Sequence, residues 1–292
     1  LEQALNHGSQ VVLRTDVNLM ISMTSKASEN IARRATAAFN AGRSDAARRL
    51  CEQGLSRQPG DPILHHLLAA VLFSEGEIAS ACTHIQSSLS KRPDHMAARL
   101  LAARIARAVK DFDGALSHLD RLIAAAPHRE AFIEKARTLD QAGLQPAARE
   151  AWRAILAVIP DHPEATARLG RLAFDDGDPA AARRLLERAV AGQAPAAVWF
   201  DLGLVRQDLG DHAGAAAAYR EALEIRPDYA EAALNLGTVL QDKGDLDGAM
   251  AAYRNAYRLR PTLFGTIAMA LTSAPHGRLW LDEAALHRSL RG

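Results

Sequence analysis

Glycine recurs in this chain at Gly42, Gly76, Gly143, Gly177, Gly210 and Gly244, with Lys110 in the slot between the second and the third. Successive slots lie 34, 34, 33, 34, 33 and 34 residues apart. Five residues after each slot stands an alanine: Ala47, Ala81, Ala115, Ala148, Ala182, Ala215 and Ala249. Such a register marks an internal repeat, and a repeat of this length confines the chain to architectures in which one small unit stacks on copies of itself. A proline closes each unit, at Pro59, Pro93, Pro127, Pro160, Pro195, Pro227 and Pro261.

Each recurring residue type has a physical reason. Glycine supplies the left-handed turn that ends a first helix. Asp178-Pro179 and Asp211 read as starts of a second helix, the aspartate capping and the proline taking the first helical position. Ala249 and Gly237 let two helices approach closely, where a larger side chain would hold them apart. Four residues beyond the alanine comes a larger filler: Cys51, Ile85, Leu119, Trp152, Leu186, Tyr219 and Tyr253. The closing proline stops the second helix, because it cannot donate to the hydrogen-bond ladder. Each unit is thus a helical hairpin that cannot bury its apolar face alone.

The pattern resembles that of the tetratricopeptide repeat family, Trp-x2-Leu-Gly-x2-Tyr, then Ala-x3-Phe-x2-Ala, then Pro. Trp199, Leu202, Gly203, Ala215, Tyr219, Ala222 and Pro227 occupy those slots, with Arg206 where tyrosine is expected. Leu236, Gly237, Leu240, Ala249, Tyr253, Ala256 and Pro261 do so in the next unit, with Ala233 in place of tryptophan. Earlier units are more degenerate, with Ala35, Ala69, Ala103 and Ala136 in the glycine slot of the first helix. The resemblance implies an all-α fold, a right-handed superhelical solenoid of about seven tetratricopeptide-type hairpins with a C-terminal helical cap. The hairpins span residues 28–61, 62–95, 96–128, 129–162, 163–195, 196–229 and 230–263.

The ends depart from the period. Residues 1–27 read as a leader or tag-like segment, with Leu13, Thr15, Val17, Leu19 and Ile21 alternating at a strand-like spacing. Residues 264–292 read as capping helices that cover the last repeat, with Phe264, Ile267, Met269 and Leu271 on one and Leu279, Trp280, Leu281, Leu286 and Leu290 forming a second apolar surface. Trp280 is alternatively an exposed anchor for a partner.

Composition narrows the function classes. The 292 residues carry a formal charge of +1, which exerts no general pull toward nucleic acid or anionic membrane. No apolar run approaches the roughly 18 residues of a membrane span. With no signal-peptide pattern, the expectation is a cytoplasmic protein. Cys51 and Cys82 have no metal-ligand spacing and read as small hydrophobes. His65 and His66 are adjacent and cannot point at one site on a helix, while His84, His95, His118, His128 and His162 fall near helix ends and turns. No phosphate loop, nucleophile elbow or HExxH pair is present. The expectation is a protein that is not an enzyme and uses no cofactor or metal.

The resemblance places a groove along the first helices, lined by the second, fifth, ninth, twelfth and thirteenth slots of each unit. The ninth slots read Thr36, Ala70, Arg104, Arg137, Arg171, Leu204 and Thr238, so three successive hairpins contribute an arginine ladder, with Arg107 beside it. The thirteenth slots turn acidic toward the C-terminus, ending in Asp175, Asp208 and Asp242. Phe39, Phe73 and Phe174 hold the twelfth slot of their units and supply apolar pockets. Arginine grips carboxylates through paired hydrogen bonds, so this lining suits an acidic peptide. Against it, Glu134 precedes Arg137 by three residues and Asp175 follows Arg171 by four, the spacing of ordinary pairs on a solvated helix face. The family's chaperone-binding clamp requires lysine and asparagine where Ala32 and Thr36 stand. The asparagine ladder of the O-linked N-acetylglucosamine transferase superhelix finds only Asn235, against Asp201 and Arg168.

The reading is a scaffold that binds a protein or peptide segment in its groove, with oligomerisation through the N-terminal segment or terminal repeats open to it. The alternatives are the substrate-recruiting arm of a transferase whose catalytic part lies elsewhere, and an assembly factor for a secretion or envelope complex.

Overall fold

The computed structural model describes residues 26–126, 128–273 and 283–291. The alternating segment before Lys26, Pro127, and Leu279, Trp280 and Leu281 lie outside the described residues. Within them every regular element is helical. In order these are α1 (Lys26–Asn40), α2 (Ser44–Arg57), α3 (Pro62–Ser74), α4 (Ile78–Lys91), α5 (Met96–Ala108), α6 (Phe112–Ala125), α7 (Arg129–Gln141) and α8 (Gln145–Val158). Then come α9 (Pro163–Asp175), α10 (Pro179–Ala189), α11 (Ala196–Asp208), α12 (His212–Ile225), α13 (Ala230–Asp242), α14 (Leu246–Leu259), α15 (Phe264–Ser273) and α16 (Glu283–Arg291). The chain forms two compact units, residues 1–151 and 152–292, whose division falls within α8.

In the first unit α1–α2, α3–α4 and α5–α6 are antiparallel hairpins. Each second helix also packs on the next first helix, α2 on α3, α4 on α5 and α6 on α7, and successive first helices touch one another. The second unit repeats the scheme with α9–α10, α11–α12 and α13–α14. There α15 packs on α13 and α16 on α14. Leu286 and Leu290 of α16 join Tyr257, Ile267 and Leu271 in one buried cluster. The His287 ring lies on Phe264, with centroids 3.7 Å apart, and its Nδ1 pairs with the Tyr257 hydroxyl at 3.1 Å.

The turn between the helices of a hairpin is set by backbone geometry. The six slot glycines adopt φ of +72° to +81°. The next amide donates back to a carbonyl five residues earlier, as in Arg43 to Ala38 at 2.9 Å and Asp245 to Leu240 at 2.9 Å, which satisfies the frayed helix end. Lys110 takes the same conformation with φ +63°, where its Cβ is strained. The aspartate caps form as the sequence suggests: Asp178 accepts from the Ala181 amide at 2.9 Å and Asp211 from the Gly214 amide at 2.9 Å.

The repeated alanines are the closest points of the hairpins, and all seven are at most 1% exposed. The fillers four residues later are buried as well, and two of them use the space that a first-helix glycine leaves. Where that slot is Gly237, an added Cβ would come within 2.5 Å of the Tyr253 ring, and one at Gly203 would likewise meet the Tyr219 ring. Ala35, Ala69 and Ala103 accompany Cys51, Ile85 and Leu119, while Ala136 stands in the unit of Trp152, so the size of the filler does not follow from that slot alone. Burying tyrosine requires a partner for its hydroxyl, and the first helix provides one. Tyr219 donates to Gln207 Oε1 at 2.9 Å and Tyr253 to Gln241 Oε1 at 3.0 Å.

Two outcomes follow for stability. Ala182→Leu or Ala215→Leu overpacks a helix–helix contact and costs about 1–3 kcal/mol, read from thermal or urea denaturation; wild-type stability in both variants would refute close packing at these alanines. Lys110→Gly relieves the left-handed strain and raises stability by about 1 kcal/mol, whereas Gly143→Ala lowers it.

Candidate functional site

The ladder arginines do not stand free in solvent. On the first-helix face of the first unit, Arg104 and Arg107 of α5 and Arg137 of α7 converge on Glu134, whose side chain is only 2% exposed. Arg104 Nε donates to Glu134 Oε1 at 2.9 Å and its Nη2 to Glu130 Oε1 at 2.8 Å. Arg107 Nη2 reaches Glu134 Oε2 at 3.1 Å and its Nη1 reaches Gln141 Oε1 at 3.1 Å. Arg137 Nη1 donates to Glu134 Oε1 at 2.8 Å. The pair Glu134–Arg137 is the ordinary helix pair that the spacing foretells, but it is the outer edge of a buried cluster rather than part of a solvated face. Arg104 is 10% exposed and Arg107 14%.

Burial alone would push the Glu134 carboxyl up, yet Arg104, then Arg137 and Arg107, outweigh it and hold the group below the usual carboxylate range. The cluster is therefore charged, with three guanidiniums set against the two carboxylates of Glu134 and Glu130. It is also rigid, because each guanidinium is fixed by at least one hydrogen bond to the same buried anion.

The second unit carries a smaller version. Arg171 of α9 donates from Nε to Asp175 Oδ1 at 3.0 Å and from Nη1 to Asp201 Oδ1 of α11 at 2.9 Å. Burial raises the Asp201 carboxyl above its ordinary value in spite of Arg171. The Arg171 guanidinium also stands 5.9 Å from the centre of the Phe174 ring. Asp208 is exposed and Asp242 half-buried at the ends of α11 and α13.

The three phenylalanines differ in placement. Phe39 is 8% exposed and belongs to the core of the first unit, which leaves it little surface to offer. Phe73 packs half-buried against that core, and Phe174 half-buried against the cluster around Leu186 and Leu202. Sequence reasoning missed Glu130, and took Glu134 and Asp201 only as neighbours. A signal was present: Glu134 follows Arg104 by 30 residues and Asp201 follows Arg171 by 30. That spacing is one repeat less about one helical turn, which sets an arginine of one first helix beside an acid of the next.

Cys51, His65 and His66 serve structure. Burial lifts the Cys51 thiol to about 12, so it stays protonated. His66 is buried beside His95 and, through burial first and then that neighbour, titrates near 3. His65 Nε2 bonds the Pro59 carbonyl at 2.8 Å and must donate there, so in the neutral ring its Nδ1 accepts from His84 Nδ1 at 2.9 Å. Among the described residues no group of three His, Cys, Asp or Glu side chains is placed to hold a metal ion, and no helix is long and apolar enough to cross a membrane.

A family model for the tetratricopeptide repeat matches residues 133–198 and 200–263, and one described as anaphase-promoting complex, cyclosome, subunit 3, matches residues 33–122. The chain belongs to the tetratricopeptide repeat family. No curated protein matches its sequence. Among solved structures, MamA is 26% identical with a TM-score of 0.50, over 57% of this chain and 93% of that one. The Cut9–Hcn1 hetero-tetramer of APC/C gives 16% identity and a TM-score of 0.65 over 88% of this chain and 48% of that one. PilW, a type IV pilus biogenesis factor, gives 18% and 0.62 over 74% of this chain and the whole of that one. The last two likenesses concern the fold of this tetratricopeptide repeat protein and nothing finer.

The buried hub yields a direct outcome. Glu134→Gln strands three guanidiniums around a neutral group and destabilises the protein by about 3–5 kcal/mol in urea denaturation. The sign of the wild-type pH dependence follows from the depressed carboxyl. Its stabilisation is complete above the ordinary value of 4.5 and is lost as pH falls through the lower folded value. Glu134→Gln lacks that component of the acid limb.

Proposed function

We propose that this tetratricopeptide repeat protein is a non-enzymatic interaction scaffold whose first-helix face in the first unit binds an acidic peptide segment of a partner protein. The observation that carries this reading is the array of Arg104, Arg107 and Arg137, held in place from behind by Glu134. Guanidiniums already fixed in position lose little rotamer freedom when they engage a ligand carboxylate, so the array is organised ahead of binding. Arg137 is 29% exposed and is the arginine of the three that presents most surface. The Nε of Arg107 has no hydrogen-bond partner among the described residues. The second unit, with Arg171, Phe174, Asp208 and Asp242 on its first helices, offers a separate face of mixed charge. Its arginine is matched by two aspartates, so the acidic ligand is assigned to the first unit.

Selection from a displayed peptide library tests the reading. Peptides enriched on the full chain should carry paired carboxylates and should dissociate as salt screens the contact. Arg137→Gln together with Arg107→Gln should weaken the selected peptides about tenfold or more, the loss of one or two charge-assisted hydrogen bonds. Arg183→Gln with Arg220→Gln, exposed positions on second helices, should leave affinity unchanged. Arg48 is unsuitable as a control because it bridges α2 to Glu75 and Glu77 in the turn between α3 and α4. Enrichment of peptides without acids, or equal loss in both pairs of variants, would overturn the proposal.

A further inference from the structure

Arg99 is the counter-example to the Glu134 cluster. Its side chain is 7% exposed, yet among the described residues its guanidinium meets one carboxylate only, Asp94 Oδ1 at 3.8 Å. That aspartate side chain is 98% exposed, so water competes for it and it compensates the buried charge poorly. Arg99 lines a cavity of about 410 Å³ formed by α4, α5 and α6, together with His118 and Arg121 of α6. No hydrogen bond or ion pair engages His118 or Arg121 among the described residues. Arg99, Ala102, Ala106 and Val109 form one face of α5, whereas Arg104 and Arg107 belong to another, so this cavity is separate from the Glu134 cluster.

A buried cation without a partner is costly, and proteins normally pair it. Here three basic side chains share a cavity with a single acid, Asp111, at an exposed helix cap. Burial, then Arg121, holds Arg99 below its ordinary value, and burial, then Arg99 and Arg121, lowers His118. Most of the remaining lining is apolar, with Ile85, Leu89, Ile105 and Val109 along it beside the polar Gln86 and Ser90, and Val109 is 56% exposed. A hydrocarbon wall beside convergent donors is the usual make-up of a small-molecule site.

We propose that this cavity binds a small amphiphilic carboxylate, its oxyanion between Arg99, His118 and Arg121 and its hydrocarbon along Leu89, Ile105 and Val109. A phosphate ion would meet the charge but leave the apolar wall wet. An alcohol of the same chain length would cover the wall but leave the cations unpaired.

Octanoate, inorganic phosphate and octanol are the probes, each titrated into the full chain by calorimetry while the His118 imidazole resonances are followed by NMR. Octanoate should bind at least about tenfold more tightly than either comparator and should move the His118 resonances. Arg121→Gln, an exposed position, should keep the melting temperature and weaken octanoate about fivefold or more. Arg99→Met should weaken it further if the variant folds. Phosphate binding as tightly as octanoate would reduce the site to a simple anion site, and octanol binding as tightly would reduce it to an apolar cleft. Either result, or equal octanoate affinity in wild type and Arg121→Gln, overturns the proposal.

Discussion

The close approach of two helices at one alanine per repeat is the contact on which the rest of the molecule depends. Ala47, Ala81, Ala115, Ala182, Ala215 and their equivalents are sealed from solvent, and the filler four residues later is sealed with them. The gap between the helices is narrow, and at two positions a ring fills the space that a glycine leaves. Tyr219 and Tyr253 sit against Gly203 and Gly237, where an added Cβ would strike the ring. Dense packing of this kind leaves little tolerance for an added methylene. It also holds successive first helices side by side, which is what brings side chains from different hairpins within hydrogen-bond reach.

Charge on that face is organised by the same stacking. An arginine in the ninth slot reaches an acid on the next first helix, as Arg104 does to Glu134 and Arg171 to Asp201. In the first unit three arginines share the buried acid, which makes a rigid cationic array. In the second, one arginine faces two aspartates and the charge is cancelled. Two faces built by one repeat thus acquire different chemistry through single substitutions in the lining slots. Arg99 shows the opposite case, a buried arginine whose nearest acid is fully solvated, and its charge is left for something else to compensate.

Much of the fold was legible because each structural demand falls on a single residue type at a fixed place. The left-handed turn calls for glycine, and Lys110 was recognisable as its substitute only from the period. The caps at Asp178 and Asp211, the small residues and the fillers were all readable from local chemistry. The candidate site was less legible. The ladder arginines could be found by register, but their partners lie on another hairpin, and helix-face spacing accounts only for Arg137–Glu134 and Arg171–Asp175. Phe39 read as a lining residue from its slot, yet it is core, because the ring at that position turns into the stack.

By itself, then, the sequence determined the repeat, the helical hairpin and the residues that close it, since these rest on backbone conformation and side-chain size within about 34 residues. Only the tertiary structure decided which arginines are held by a buried acid and which are not. Glu134 and Asp94 are both acids a short distance from an arginine in sequence or in space. One is 2% exposed and the other 98%, and solvent access sets how much of each charge remains to be answered by a ligand.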